Sequence, residues 1–481
     1  MIYAGAAGAQ ITFTEINGGA PLAQNALLTE SLAWGDYDRD GDEDLYLTVQ
    51  GDNVLLRNDG GTFTDVTAAA GVGDSGWGVG TGFADLDNDG DLDLYVVNFG
   101  ADPDRLYRNN GPNANPIFTE IGLTAGIASG TESSRGMAFI DFDRDGLLDI
   151  YVNAIGDDLL YHNQGGLQFI NVAASVGISG NDGQGVGVVA TDIDNDGWVD
   201  LFTGNRSGQP NRLFRNLGGS FMDITSAAGI DRTGLGMGVL SFDYDNDGAM
   251  DLYWTAWPDA AGSNGDNALY RNQGGAVFTD LTSASGAADA SGWGISGNTA
   301  DIDRDGWEDF FITNGFSDDS TANVLFHNNA AGGFSDISSL LPAPVLFDGR
   351  GAAFADYDND GDDDLLVTTD IGLSNRLWRN DSVNSNHWIK LILEGTQSNR
   401  SAIGARVEIT TDTGTIVREV SGGAGRGSFN SLPLLIGLGS ASQINQLLIR
   451  WPNGQTEIIA PPAMDQVVTL IEGTLMRDGF E

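Results

Sequence analysis

Residues 85–93 read DLDNDGDLD, and this stretch decides the fold because it recurs. The same D-x-D-x-D-G-x-x-D pattern stands at 36–44 (DYDRDGDED), 141–149 (DFDRDGLLD), 192–200 (DIDNDGWVD), 243–251 (DYDNDGAMD), 301–309 (DIDRDGWED) and 356–364 (DYDNDGDDD). Successive first aspartates lie 49, 56, 51, 51, 58 and 55 residues apart. A period near 53 suits a four-stranded propeller blade, a repeat that must be recognised before any single element is read.

Outward from each acidic loop the flanks repeat too. A Gly-rich segment precedes it, such as GVGTGFA at 78–84 or GRGAAFA at 349–355, and an apolar β-type run follows, such as LYVVN at 94–98 or FFITN at 310–314. A third signature reads NVLLRN at 53–58, DRLYRN at 104–109 and NRLFRN at 211–216, and a fourth is Phe-led, FTDVT at 63–67 and FTDLT at 278–282. Four short segments punctuated by Gly, Asn and Asp predict a twisted antiparallel sheet. No stretch carries the 3.6-residue apolar period of a helix. The seventh unit lacks its Phe-led strand, while FTEIN at 13–17 stands alone before the first loop. A strand over 11–17 is therefore expected to complete blade seven and close the ring, which removes free sheet edges.

From Asn386 the texture changes to HWIKLILEG (387–395), GARVEITT (404–411) and QLLIRWPNG (446–454), strand-length runs divided by turns. The expected fold class is all-β: a seven-bladed β-propeller with calcium-binding hairpin loops over 1–383, a small β-sandwich-like domain over 384–475, and a tail, 476–481.

The loops carry the chemistry. Calcium takes six to eight oxygens in flexible geometry, and Asp at positions one, three, five and nine with the carbonyl of position seven supplies them. The candidate ligands are Asp36, Asp38, Asp40, Asp42 and Asp44 in the first loop, and Asp85, Asp87, Asp89, Asp91 and Asp93 in the second. The third offers Asp141, Asp143, Asp145, Leu147 and Asp149, the fourth Asp192, Asp194, Asp196, Trp198 and Asp200. The fifth has Asp243, Asp245, Asp247, Ala249 and Asp251, the sixth Asp301, Asp303, Asp305, Trp307 and Asp309, the seventh Asp356, Asp358, Asp360, Asp362 and Asp364. About seven Ca2+ sites follow. Four converging carboxylates make six repulsive pairs, each about 1 kcal/mol at 4 Å in water and about 4 in a protein-surface dielectric, so an empty loop carries roughly 6 to 24 kcal/mol before relaxation. Plain solvated turns do not explain that arrangement seven times. An EF-hand is excluded because position 12, which must be Glu, is Leu47, Val96, Val152, Thr203, Trp254, Ile312 or Val367.

Composition narrows the partners. With 22 Lys+Arg against 68 Asp+Glu the net charge is −46, which repels nucleic acid and attracts cations. There is no cysteine, hence no disulfide or thiolate site. No apolar run is long enough for an integral membrane segment, and the opening MIYAGAAGAQ does not read as a signal peptide.

Beyond calcium, no nucleophile elbow, H-E-x-x-H or P-loop is present. His162 and His327 replace the Arg of the R-N signature and read as blade-edge residues; His387 is the third histidine. Arg135 and Arg350 each stand six residues before a first Asp, in a segment expected near the propeller axis. They are read as partners for surplus carboxylates or, alternatively, as contacts to an anionic ligand. Variable connections at 99–105, 257–266 and 315–323 are candidate recognition loops. Trp77, Trp257 and Trp293 either stack on sugar rings or fill the core.

These residues resemble a known group. The loops with their Gly-rich lead-in and N-x-L-x-R-N follow-on are similar to the FG-GAP or VCBS repeats of integrin alpha-subunit propellers, over about 11–382. The tail resembles the ASPIC/UnbV domain through NHWIKLILEG, SNRSAIGARVEI, REVSGGAGRGSFNS, IGLG and IRWPNG in that order, with Gly425-Arg426 where the family usually has Gly-Tyr. The combination is similar to the cartilage acidic protein family and its bacterial relatives. It implies a secreted protein, extracellular, periplasmic or at the cell surface, whose MRDGFE end resembles tails of exported Gram-negative proteins. The expected role is a non-enzymatic binding or adhesion module for an extracellular protein or polysaccharide, calcium being mainly structural. The alternative is a polysaccharide lyase-like enzyme in which Arg135 or Arg350 neutralises a uronate.

Overall fold

Each acidic loop joins two antiparallel strands in one fixed register. Gly35 faces Asp44, Ala84 faces Asp93, Ile140 faces Asp149, and the remaining four loops repeat this. The computed structural model describes residues 10–474 except 17–20, 24–26, 128–132, 179–183, 258–266, 290–291, 316–320, 331 and 343–344. Tail residues 476–481 and most of the connections at 257–266 and 315–323 lie outside the described residues.

Two further strands complete each sheet. In blade two the order is Gly78–Ala84, Asp93–Asn98, Arg105–Asn109 and Phe118–Glu120, from the inside outward. Among the described residues seven such four-stranded units follow one another, the third and fourth joined by a single bridge between Ile155 and Gln184. In the seventh, the outer place is taken by Phe13–Ile16 from the N-terminus. Phe13 faces Asn380 there as Phe118 faces Asn109 in blade two, so the borrowed strand keeps the register of a native one. The inner strands neighbour one another in sequence, and the last, Gly349–Ala355, lies against the first, Thr29–Gly35. The chain is thus all-β, with its sheets arranged in a closed series.

Glycine in the lead-in has a steric cause. All seven inner strands shift register near their start, as between Gly236 and Val239, and neighbouring inner strands crowd there. A Cβ on Gly136 would stand 2.2 Å from the carbonyl oxygen of Val186 in the next blade. Second strands such as Asp44–Val49 are buried along their whole length, which explains why they are continuously apolar instead of alternating. After the outer strand most blades add one helical turn, for example Thr225–Ala228, stopped by left-handed Gly229. A single turn is too short to register as a period.

The C-terminal strands form two sheets. His387–Glu394 lies between Leu434–Gly439 and Gln466–Ile471, and Arg406–Thr411 lies between Thr415–Glu419 and Ile444–Arg450, with Thr456–Ile459 beyond. Ile389, Val407, Ile409, Leu447 and Trp451 share one core with Phe83 and Phe139 of the propeller. Between these sheets the segment SGGAGRGSFNS (421–431) enters the propeller axis. Gly422 O accepts Phe139 N, Gly425 pairs with Val239, Gly427 O accepts Thr81 N, Phe429 pairs with Leu32 and Trp34, and Ser431 N donates to Phe354 O. A Cβ on Gly425 would meet Ser296 Oγ at 2.4 Å, and one on Gly187 would meet Gly425 O at 2.4 Å. One loop therefore touches the inner strands of all seven blades, and its glycines are what let it fit.

Candidate metal centres

The nine-residue loop is shaped by two left-handed residues. Position six is Gly with φ between 85 and 95° in all seven copies. Position four also has positive φ, 60° at Arg39 and 59° at Asn88, and is Arg or Asn throughout. Its side chain reaches the next loop in the ring. Asn88 Nδ2 donates to Gly146 O at 2.9 Å, Asn195 to Gly248 O at 3.0 Å, Asn246 to Gly306 O at 3.0 Å and Asn359 to Gly41 O at 3.1 Å. Where Arg stands instead, Arg39 pairs with Asp91 at 3.2 Å, Arg304 with Asp362 at 3.0 Å, and Arg144 lies 3.7 Å over Trp198. The seven loops are linked head to tail, the seventh to the first.

Within a loop the carboxylates have divided tasks. In the fourth, Asp192 accepts the amides of Asp196 and Gly197 at 3.1 and 2.9 Å, and Asp196 accepts that of Trp198 at 2.9 Å. Asp200, at position nine, accepts the amides of Ile193 at 3.0 Å and Asn216 at 2.6 Å. Position three is the exception in four of the loops. The Oδ1 atoms of Asp38, Asp245, Asp303 and Asp358 are sealed from solvent without a hydrogen-bond partner. Carboxylate oxygens of Asp36, Asp38 and Asp40 lie within 4.8 Å of one another, as do those of Asp85, Asp87 and Asp93 and of Asp141, Asp143 and Asp149. These are converging hard oxygen donors, the donor set of a Ca2+ or Mg2+ centre. Side chains at position seven point elsewhere. Asp42 accepts Gly60 N at 2.7 Å, Asp91 and Asp362 meet arginines, Trp198 lies beneath Arg144, and Ala249 is buried.

Burial and mutual repulsion raise the carboxyl pKa values. Desolvation is the larger cause in each. It lifts Asp44 and Asp251 to about 9, Asp141 and Asp243 to about 7, and Asp38 and Asp85 to about 6, with neighbouring aspartates adding to it. Asp93, Asp149, Asp200, Asp301, Asp309 and Asp364 are raised well above the ordinary value.

Two sets of residues escaped the sequence reading. The first is the R-N signature, whose cation serves its own blade's loop in blades two to seven. Arg108 meets Asp87 at 3.2 Å, Arg215 meets Asp194 and Asp196 at 2.5 and 3.1 Å, and Arg271 meets Asp245 and Asp247 at 2.5 and 2.9 Å. His162 reaches Asp143 at 3.1 Å and His327 reaches Asp303 at 3.3 Å, so the histidines are loop partners and not merely edge residues. The signal was the recurrence of a cation one residue before an invariant Asn. That Asn stitches blades. Asn272 Nδ2 donates to Met250 O at 3.0 Å in its own blade and to Ile193 O at 2.7 Å in the blade before, and Asn58 does the same to Glu43 and Tyr357 across the ring closure.

The second set belongs to the C-terminal sheets, which sit on the loop face. Lys390 pairs with Asp356 at 3.1 Å, Arg400 lies 3.8 Å from Asp85, Arg450 pairs with Asp192, Arg406 donates to Gly248 O, and Arg418 donates to Gly306 O at 3.2 Å. Five blades thus receive a cationic side chain from above.

Arg350 is buried and spends its charge on Asp370 at 2.5 Å and Asp348 at 3.5 Å. Among the described residues Arg135 has no such pair. Trp77, Trp257 and Trp293 are half-buried, Trp77 and Trp257 packing against core residues.

A ring of four-stranded sheets with one acidic loop in each defines a class, and comparison with known proteins gives it a name. The FG-GAP-like repeat family matches residues 36–96, 85–152, 192–254 and 301–367, and the ASPIC and UnbV family matches 395–475. The chain belongs to the FG-GAP-like repeat family. It is homologous to cartilage acidic protein 1. The human protein is 27% identical, covering 92% of this chain and 72% of its own, and that of Xenopus tropicalis is 28% identical, covering 76% and 59%. Among solved structures, the Dos1 propeller aligns with a TM-score of 0.45 at 10% identity, over 74% of this chain and 93% of that one.

Proposed function

We propose that this protein is an extracellular binding module whose propeller is held in shape by calcium bound in its acidic loops. The observation that carries the reading is the position-three carboxylate. Four such groups present an oxygen that is buried and unpartnered, beside carboxylates at positions one and five or nine, an arrangement unstable without a cation between them. An extracellular setting fits it, because calcium there is about millimolar and loops of this kind fill. The name of the cartilage relatives points the same way. No helix among the described residues is long and apolar enough to cross a membrane.

Of the two arginines a lyase reading would use, Arg350 is consumed by Asp348 and Asp370, which leaves Arg135 alone for that role. The test titrates calcium, with magnesium in parallel, into chelator-stripped protein while heat of binding and thermal unfolding are recorded. Several ions bound with a rise in melting temperature is the expected result. Absence of both overturns the reading.

A further inference from the structure

Away from the acidic loops, at the other end of the axis, positive charge collects. The axial loop brings Arg426 there, where its Nη1 meets Glu30 Oε2 at 2.7 Å with both side chains buried. Glu30 also accepts the indole N–H of Trp77 at 3.3 Å, so this carboxylate is already engaged on both oxygens. Arg135 opens the inner strand of blade three beside them. It is 6% exposed, its guanidinium stands 4.4 Å over the ring of Phe99, and its Nε is sealed from solvent with no acceptor. Among the described residues it makes no ion pair. Arg206, at the outlet of the second strand of blade four, is half-buried and donates to a neutral group, Gln184 Oε1, at 3.2 Å.

The three guanidiniums feel one another. Burial first, then Arg426 and Arg206, lower the pKa of Arg135 to about 9, and burial with Arg426 lowers that of Arg206. Among the described residues three cations face one carboxylate, an inversion in a chain with 68 acidic and 22 basic residues. A buried cation without a counter-ion is costly, and an arginine fork is matched by the two oxygens of a carboxylate or sulfate. Flat apolar faces stand at the same end. Trp77 and Phe99 pack edge to face at 5.0 Å, and Trp257 and Trp293, beside the starts of the inner strands of blades five and six, lie 5.7 Å apart. All four rings are half-buried, as suits a platform for a ring-shaped ligand.

The geometry points to a binding site for an acidic saccharide at this mouth, its carboxylate or sulfate held by Arg135 and Arg206 and its ring resting on the tryptophans. This names the ligand class of the binding module and rests on that reading. The two sources of the anion differ in the probe that binds. Full-length protein in calcium buffer is titrated calorimetrically with oligogalacturonate, with a heparin-derived sulfated oligosaccharide and with neutral dextran oligosaccharide. One acidic probe is expected to bind, more weakly as salt rises. Arg135→Gln and Arg206→Gln each weaken it about tenfold or more, the loss of one charge-assisted bond. Arg57→Gln, on an exposed side chain paired with Asp59, leaves it unchanged. If Arg135→Gln does not fold, the half-exposed Arg206 carries the comparison. No binding of either acidic probe, or binding indifferent to both substitutions, overturns the site. Retention of dextran with both variants unaffected overturns it too while leaving the module reading intact, and the calcium titration is scored separately.

Discussion

Asn272 and its six counterparts earn their invariance within this chain by what they connect. Each side chain satisfies a carbonyl in its own blade and one in the preceding blade, and its backbone amide holds the aspartate at position nine, at 2.7 Å for Asn272 and Asp251. Replacing Asn272 by Ala strips two buried acceptors of their donors, so the expected loss is about 2 kcal/mol or more, read by chemical denaturation in saturating calcium. A surface-like loss below half a kcal/mol would count against the stitching role. Asp303 makes a different prediction at the same scale. Its unpartnered Oδ1 is a liability in the metal-free loop and an asset in the loaded one. Asp303→Asn removes one repulsive charge and one ligand charge together. Chelated protein should therefore melt higher than wild type, while the stabilisation gained from calcium should shrink. A variant that melts lower in both conditions would mean that Asp303 is merely packed.

At the scale of elements, local features were readable and distant ones were not. The acidic loop could be read because Asp spacing and the left-handed Gly are properties of nine consecutive residues. The N-terminal strand could be placed in blade seven because FTEIN carries the same Phe-led signature as the outer strands, and Phe13 lands opposite Asn380 accordingly. The R-N cation was visible as a motif but silent as to role, since the hairpin that brings Arg271 onto Asp245 is a tertiary fact. The axial loop was the least legible. SGGAGRGSF states only that the chain there is small and permissive, and its partners, from Ser31 to Phe354, lie far away in sequence. Its consequence is testable. Gly425 has φ of 63° and no room for a side chain, so Gly425→Val should eject the loop from the axis. Limited proteolysis is expected to cut 421–431 in the variant and spare it in the wild type, with a lower melting temperature. Equal resistance in both proteins would mean that the loop is not held by the fit described.

For the whole molecule, charge is the quantity that ties sequence to stability. The net charge is −46, and the acidic loops, tethered side by side in a ring, hold a large share of it in partly buried surroundings. The cations that answer them come from three directions: the R-N signature, position four of the neighbouring loop, and the C-terminal sheets. These leave carboxyls such as Asp44 and Asp251 at about 9, and Asp141 and Asp243 at about 7, against about 3.9 in an unfolded chain. A carboxyl whose folded pKa is raised binds its proton better in the folded state. Its stabilising contribution is complete below the unfolded value and is lost as pH climbs through the folded one, here between about 4 and about 9. In chelator, the melting temperature should therefore fall from pH 5.5 to pH 8.5. Calcium reverses the slope, because it binds the ionised carboxylates and has fewer protons to displace as pH rises. With excess calcium the same interval should leave the melting temperature level or rising, and the gap between the two curves should widen with pH. Parallel curves would show that the protons and the ions do not compete for these aspartates, and the loops would then have to be treated as hydrogen-bonded turns that need no metal.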